Sequence, residues 1–384
     1  MQEALVNIMK LGFIKKRFSI HGGAERYLQT LIEQFKRAGH EIHVFSNRWL
    51  EEEGIIFHKV DVLSLSSFLS VMTFNSNVRK AIEKSDRLDC IISFERTDCQ
   101  DIYRAGEGCH SEWLEIRSKI EPFYKNLSFR INPLHISLLN LEKKIFQNTR
   151  LIIANSGMVK NQIIKHYAVP EEKIKIIYNG VDLKRFAPEN KDRWRENVRK
   201  DLAIPADSKV LLFVGTGFKR KGLAALIKSV PLIQKDNGKS DVRVLVIGRD
   251  NIKKYSALAH YENVSDKIIF PGAQKEIEKF YAAADLFVLP TLYDPFSNAC
   301  LEAMSAGLPV ITTKNNGAAE LIENGHQGFV MDSLSDASEL ADRVNLSIGN
   351  LKVMGEQARG KAEKFSIEKA ACEFTEAVRK FVPA

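Results

Sequence analysis

Leu286-Phe287-Val288-Leu289-Pro290-Thr291 leads into Asp294-Pro295-Phe296-Ser297-Asn298-Ala299-Cys300-Leu301-Glu302-Ala303, which runs on to Ala306-Gly307-Leu308-Pro309-Val310. An apolar run of strand length, a polar loop, a helical run stopped by Gly-x-Pro and a second apolar run make one strand–helix–strand unit. Two carboxylates eight residues apart, Asp294 and Glu302, bracket the loop and the start of the helix. The helix N-terminus near Phe296, Ser297, Asn298 and Ala299 offers unpaired N–H groups and a positive dipole end, which suit a phosphate. The carboxylates repel phosphate but accept hydrogen bonds from sugar hydroxyls. A nucleotide-sugar meets both requirements better than a bare nucleotide does. The bland alternative is an exposed loop acid followed by a helix-surface Glu.

Outward from this stretch the same rhythm fills the chain. Runs rich in Val, Ile, Leu and Phe alternate with helical patterns, as in parallel sheets covered on both faces. Strands are expected near 5–9, 42–46, 55–60, 89–94, 151–155 and 174–178, then near 210–215, 242–248, 268–270, 286–290, 309–312 and 329–331. Helices are expected near 23–38, within 113–146 and near 221–234, among others. The charged stretch 181–200 contains Pro188 and no clear strand, so the boundary belongs there. The reading is therefore α/β, with two doubly wound Rossmann-like domains, 1–185 and 186–365, facing across a cleft. An amphipathic segment, 366–384, is expected to pack back on the first domain. Open α/β sheets bind ligands at the carboxyl ends of their strands.

Composition excludes several classes. With 45% hydrophobic and 27% charged residues in 384, this is ordinary globular composition. No apolar run approaches the roughly 18 residues of a membrane span. The first residues lack a basic lead and a cleavage site, so a cytoplasmic location is expected. The five cysteines form an odd set without Cys-x-x-Cys, which fits a reducing compartment and no structural zinc. The net charge of +8 admits anionic partners. The basic residues are interleaved with acids, which disfavours nucleic acid. No heptad appears, which points to a monomer.

Three other loops carry candidate chemistry. Gly22-Gly23 follows the first strand and the basic Lys15-Lys16-Arg17, and opens a helix. Gly215-Thr216-Gly217-Phe218-Lys219-Arg220-Lys221-Gly222 fits neither a P-loop nor a dinucleotide fingerprint. It remains a glycine-rich turn with three cations at a helix start, where the dipole disfavours cations unless an anion joins them. That argues for a bound diphosphate, against a merely solvated basic turn. The segment from Asp98 to His110 gathers Asp98, Asp101, Glu107 and His110, with no second His/Cys cluster to complete a metal site.

Taken together, these residues resemble the family 4 glycosyltransferases of GT-B fold. Asp294 and Glu302 resemble the Glu-x7-Glu motif, with Asp at the first position. Arg220-Lys221 resemble the pair that holds the donor diphosphate, and Gly22-Gly23 the glycine loop. Ala38-Gly39-His40-Glu41-Ile42-His43-Val44 and Asn179-Gly180-Val181-Asp182 are further matching segments. The run Asp101-Ile102-Tyr103-Arg104-Ala105-Gly106-Glu107 is similar to that of the lipopolysaccharide core glucosyltransferases, with Glu107 in place of an Asp.

The resemblance implies retaining transfer of a hexose, glucose first, from a UDP-sugar to a heptose of the lipopolysaccharide inner core, without a covalent enzyme intermediate. Gly22, Gly23, Arg185, Gly217, Arg220, Lys221, Phe296–Ala299 and Glu302 would bind the donor. Asp294 would hold the transferred sugar, and Glu107 or Asp101 would serve the acceptor or the cationic centre. No Asp-x-Asp is present, which speaks for a metal-independent reaction without a cofactor. Within the same architecture, transfer for another cell-surface polysaccharide and UDP-sugar 2-epimerisation are the alternatives.

The segment 113–146 mixes aromatics with cations, including Trp113, Arg117, Lys119, Lys125 and Arg130. That mixture suits a headgroup-level interface. A lipid-linked oligosaccharide acceptor would then be met through peripheral contact with the cytoplasmic face of an anionic inner membrane. The alternative is a helix pair whose aromatics are core.

Overall fold

The computed structural model describes residues 8–17, 23–49, 52–233, 241–332 and 336–382. They form two units, one made of 1–179 with 368–384 and the other of 180–367. The first unit contains β1 (Lys10–Ile14), β2 (Glu41–Ser46), β3 (Ile55–Lys59), β4 (Cys90–Ser93), β5 (Ile102–Ala105), β6 (Leu151–Ala154) and β7 (Ile174–Ile176). The second contains β8 (Lys209–Val214), β9 (Val242–Ile247), β10 (Ile268–Gly272), β11 (Leu286–Leu289), β12 (Val310–Thr313) and β13 (Gly328–Met331).

The sheet orders are β3-β2-β1-β4-β5-β6-β7 and β10-β9-β8-β11-β12-β13. Every ladder runs parallel. Central strands such as β8 (KVLLFV) are buried on both faces, which is why they read as unbroken apolar runs. Both orders are doubly wound, and they reverse direction at β1/β4 and at β8/β11. The crevices beyond the carboxyl ends of these pairs are where such sheets take ligands.

The helix Ile367–Phe381 belongs to the first unit from Glu368 onward. Phe374 is fully buried, with its ring 6.3 Å from that of Tyr27 and 5.9 Å from that of Phe94. The chain enters and leaves the second unit side by side. Val181 N donates to Phe365 O and Ile367 N to Val181 O, both at 3.0 Å.

Several local expectations are corrected. The first described strand is Lys10–Ile14, and residues 5–7 of the strand expected near 5–9 fall outside the described ones. The polar segment from Asp98 to His110 is not one loop, because it contains β5, an internal strand whose Arg104 breaks the apolar pattern. The stretch 181–200 holds the helix Asn190–Asp201. The helix expected near 221–234 is split into Phe218–Lys221 and Leu223–Ser229 by Gly222. A Cβ on Gly222 would stand 1.8 Å from Pro290 O, and its φ is +82°. The unit boundary falls at 179/180 rather than 185/186.

Phe374→Ala removes a ring shared by the C-terminal helix and the body of the first unit. Equilibrium urea unfolding should show a loss of about 3–5 kcal/mol.

Candidate active site

At the β8/β11 switch point the two exit loops are joined by backbone. Arg220 O accepts from Leu292 N at 2.8 Å and from Thr291 Oγ1 at 2.9 Å. The Arg220 guanidinium returns to Tyr293 O at 2.9 Å. This join directs the buried Lys221 Nζ onto the buried carboxylate of Asp294. The Asp294 backbone is clamped by the loop after β12, with Asp294 N donating to Asn315 O and Gly317 N to Asp294 O, both at 2.9 Å. Asn316 is the keystone of that loop. Its Oδ1 accepts from Ser297 N and Ala318 N at 3.1 Å, and its Nδ2 donates to Thr312 Oγ1 at 2.9 Å.

Ser297 occupies the position before the helix Asn298–Ser305 without a side-chain cap bond; Phe296 and Ser297 are buried, and Asn298 and Ala299 open the first helical turn. Below them Cys300 is pushed up to about 12 by burial and is inert as a nucleophile. Glu302 lies half-buried one turn on, and its Oε2 accepts from Tyr281 OH at 2.8 Å. Burial, followed by Glu302, holds Tyr281 well above the usual phenol range, so it stays a donor.

The cationic turn differs from its sequence reading. Lys219, Arg220 and Lys221 fill the last turn of a four-residue helix. The N-terminus of that helix, after Gly217 in the left-handed region, is met by Asp250, whose Oδ2 accepts from Phe218 N at 2.5 Å. Protein carboxylates therefore already answer part of the charge. Arg185 stands apart from this turn, with its guanidinium bound to Glu278 at 2.7 Å and over the ring of Phe186.

In the first unit the carboxyl ends hold a second constellation. Lys15, after β1, pairs with Glu95, after β4, at 3.0 Å. Arg96 bonds both Glu107 and the fully buried Glu142, the latter at 3.1 Å. Glu142 also accepts from His110 N at 2.7 Å and from Tyr167 OH at 2.6 Å. Burial opposes the charge on Glu107. Arg96, Lys15 and Lys16 override it and hold the carboxyl below its usual range, so Glu107 is ionised at neutral pH. The His110 ring bonds His135 at 2.9 Å, and burial, then Arg96, lower it to about 3, so it is neutral.

Asp101 is corrected as the alternative to Glu107. It precedes β5, so it lies at the amino end of the strand whose carboxyl end leads to Glu107. There it accepts from Ile91 N at 2.9 Å. Gly22 lies outside the described residues, and Gly23 is the first residue of the helix Gly23–Arg37. Asn316, Tyr281, Asp250 and Arg96 were missed by the sequence reading. Only the loop positions of Asn316, Asp250 and Arg96 just past strand ends gave any signal for them.

The region 113–146 forms the helices His110–Ile120, Phe123–Ile131 and Pro133–Asn148. Three of its cations are paired. Arg117 meets Glu121 at 3.5 Å and lies 4.2 Å from the Phe129 centroid and 5.8 Å from that of Trp113. Lys119 meets Glu115 at 2.9 Å and Lys125 meets Glu121 at 3.0 Å. The side chain of Arg130 lies outside the described residues. Phe123 and Tyr124 remain 83% and 69% exposed, while Phe146 is buried. Among the described residues no helix is long and apolar enough to cross a membrane.

Comparison with known proteins converges on this architecture. The model "Glycosyltransferase Family 4" matches residues 21–185, and "Glycosyl transferases group 1" matches 194–361. The chain belongs to the family 4 glycosyltransferases. This glycosyltransferase is 25% identical to glycosyltransferase MJ1607 of Methanocaldococcus jannaschii over 81% of each chain. It is 24% identical to lipopolysaccharide glucosyltransferase WaaG of Escherichia coli, over 84% of this chain and 85% of that one. Its fold is GT-B. A crystal structure of WaaG superposes with TM-score 0.80 at 23% identity, covering 96% of this chain and 99% of the other. Anabaena HepE in complex with UDP-glucose superposes with TM-score 0.72 at 20% identity, covering 97% and 100%.

Removing one partner of the Lys221–Asp294 pair strands a buried charge. Lys221→Met should lower unfolding free energy by about 3–5 kcal/mol. Adding Asp294→Asn in the same chain should restore a large part of the loss, read by urea denaturation.

Proposed function

We propose that this chain is a retaining, metal-independent hexosyltransferase. It moves glucose from UDP-glucose to a heptose of a lipopolysaccharide inner core. The observation that carries the reading is the cluster of Arg220, Lys221 and Asp294 beside the helix Asn298–Ser305 that bears Glu302, at the switch point of the second sheet. Its parts match the needs of a nucleotide-sugar. The helix N-terminus with Arg220 and Lys221 stabilises charge growing on the leaving diphosphate. Glu302 accepts from ribose hydroxyls, and Asp294 accepts from hydroxyls of the transferred sugar.

In the reaction the bond from the anomeric carbon to the β-phosphate oxygen breaks, and its electron pair leaves with UDP. The acceptor oxygen bonds to the same face of that carbon, and its proton passes to the departing phosphate. Glu107, ionised beside Arg96, is the acceptor-side carboxylate, either orienting the acceptor or supporting the cationic centre. The name of the E. coli relative supports the lipopolysaccharide acceptor, and the UDP-glucose complex of HepE supports the donor.

The test is a screen of UDP-, GDP- and ADP-sugars in chelator, with and without heptose-terminated core, scoring free nucleoside diphosphate. UDP released from UDP-glucose should rise with the core. Lys221→Ala should lower kcat/KM by about 100-fold or more. Glu302→Ala should act mainly on KM for the donor. Conversion of a UDP-sugar to an isomer without acceptor would replace transfer by epimerisation.

The same reading includes peripheral contact with an anionic membrane, through exposed Phe123 and Tyr124 more than through the paired cations nearby. The protein should float with phosphatidylglycerol vesicles at low salt. Phe123→Ser/Tyr124→Ser should weaken that binding by about tenfold or more. Equal flotation of parent and variant would remove this patch from the membrane contact.

A further inference from the structure

The second unit has another concave site, at the amino ends of its strands and so at the opposite edge from Lys221 and Asp294. A cavity of about 530 Å³ lies between the helix Asn190–Asp201, the start of β8, the turn at Gly307 and the helix Leu351–Ala362. Five cations line it, namely Lys191, Arg195, Lys209, Lys352 and Arg359, against two acids, Asp285 and Glu356.

Local pairing accounts for only part of this charge. Asp285 is taken by Arg195 at 2.6 Å, Arg199 at 2.7 Å and Val210 N at 2.8 Å. Arg359 is held by Glu363 at 2.9 Å and by the carbonyl of Ser305 at 2.9 Å. Three lysines then face one exposed carboxylate, Glu356. The ammonium groups of Lys191 and Lys209 have no hydrogen-bond or ion-pair partner among the described residues. Lys191 is half-buried, and burial, then the charge of Arg195, lowers its pKa against the smaller pull of Asp285, whose oxygens are already bonded to Arg195 and Arg199. Water is partly excluded from this cation while another stands beside it, an arrangement that an anion relieves.

A second feature points the same way. The helix Leu351–Ala362 opens on the cavity with no acid in its first turn and no side-chain cap. The amide of Asn350, at the cap position, donates back to Leu346 O at 3.4 Å. Lys352 therefore sits at the positive end of the helix dipole, where a cation is disfavoured without an anion.

We propose that this cavity binds a soluble phosphorylated small molecule, of sugar-phosphate to nucleotide size, through Lys191, Lys209 and Lys352. Its volume falls in the range of about 300–1,000 Å³ typical of small-molecule sites.

The test is calorimetric titration of the full chain with inorganic pyrophosphate at low ionic strength. A saturable site should persist in Lys221→Ala, which removes the ammonium of the donor site. It should weaken by about tenfold or more in Lys191→Gln/Lys209→Gln and survive in Lys191→Arg, which keeps the charge. Neither lysine holds a partner, so the Gln variant should unfold at the parent midpoint. Phosphatidylglycerol vesicles added in excess should leave pyrophosphate binding unchanged. The proposal is overturned by an absence of saturable binding, or by binding that vanishes in Lys221→Ala yet ignores Lys191 and Lys209. Displacement of pyrophosphate by the vesicles would likewise overturn it, assigning the cavity to a lipid headgroup.

Discussion

Lys221 and Asp294 leave two strands, β8 and β11, that are neighbours in the sheet but begin the two opposite directions of its winding. Their exit loops need not meet, and an open crevice is the ordinary result of this topology. Here they are brought together by three contacts to Arg220 and one buried ion pair, with Gly222 permitting Pro290 O to approach. The side chains gathered at this switch point hang from that join. Asn316 fixes Ser297, Ser297 sets the helix start, and Tyr281 fixes Glu302. A buried ion pair adds little net stability, because desolvation offsets its attraction. Its value here lies in holding two loops in one geometry.

The doubly wound fold was legible because parallel strands buried on both faces have nowhere to put polar residues. β8, β9 and β11 read as strands at sight. β5 did not, because Arg104 lies within it and carboxylates flank it on both sides, so its polar signature outweighed four residues of pattern. That one omission merged Asp101 and Glu107 into a single loop, whereas the strand separates them to opposite ends. Asn190–Asp201 was missed for a related reason: its helix is so charged that it reads as linker.

The residues of the β8/β11 switch point were legible for a different reason. The spacing of Asp294 and Glu302 is local, so a strand, a turn and a helix fix their placement without help from the rest of the chain. The partners that hold them are not local. Lys221 and Asp294 are 73 residues apart, and Arg96 and Glu142 are 46 apart. Nothing in one sequence says which of many cations will meet which acid. The cationic turn shows the limit: the dipole argument called for an anion at the helix start, and Asp250 supplied one from 32 residues away.

Val181 and Ile367 lie against each other where the chain enters and leaves the second unit, and a Cβ on Gly180 would come within 2.4 Å of Ile367 Cα. The first unit is therefore interrupted, and its core lacks Phe374 until the helix Ile367–Phe381 has been synthesised. On the ribosome the order of completion is inverted. The first unit emerges early but waits, with Tyr27 and Phe94 uncovered, while the whole second unit is translated and can close on its own. Vectorial synthesis thus leaves the earlier unit incomplete for longest.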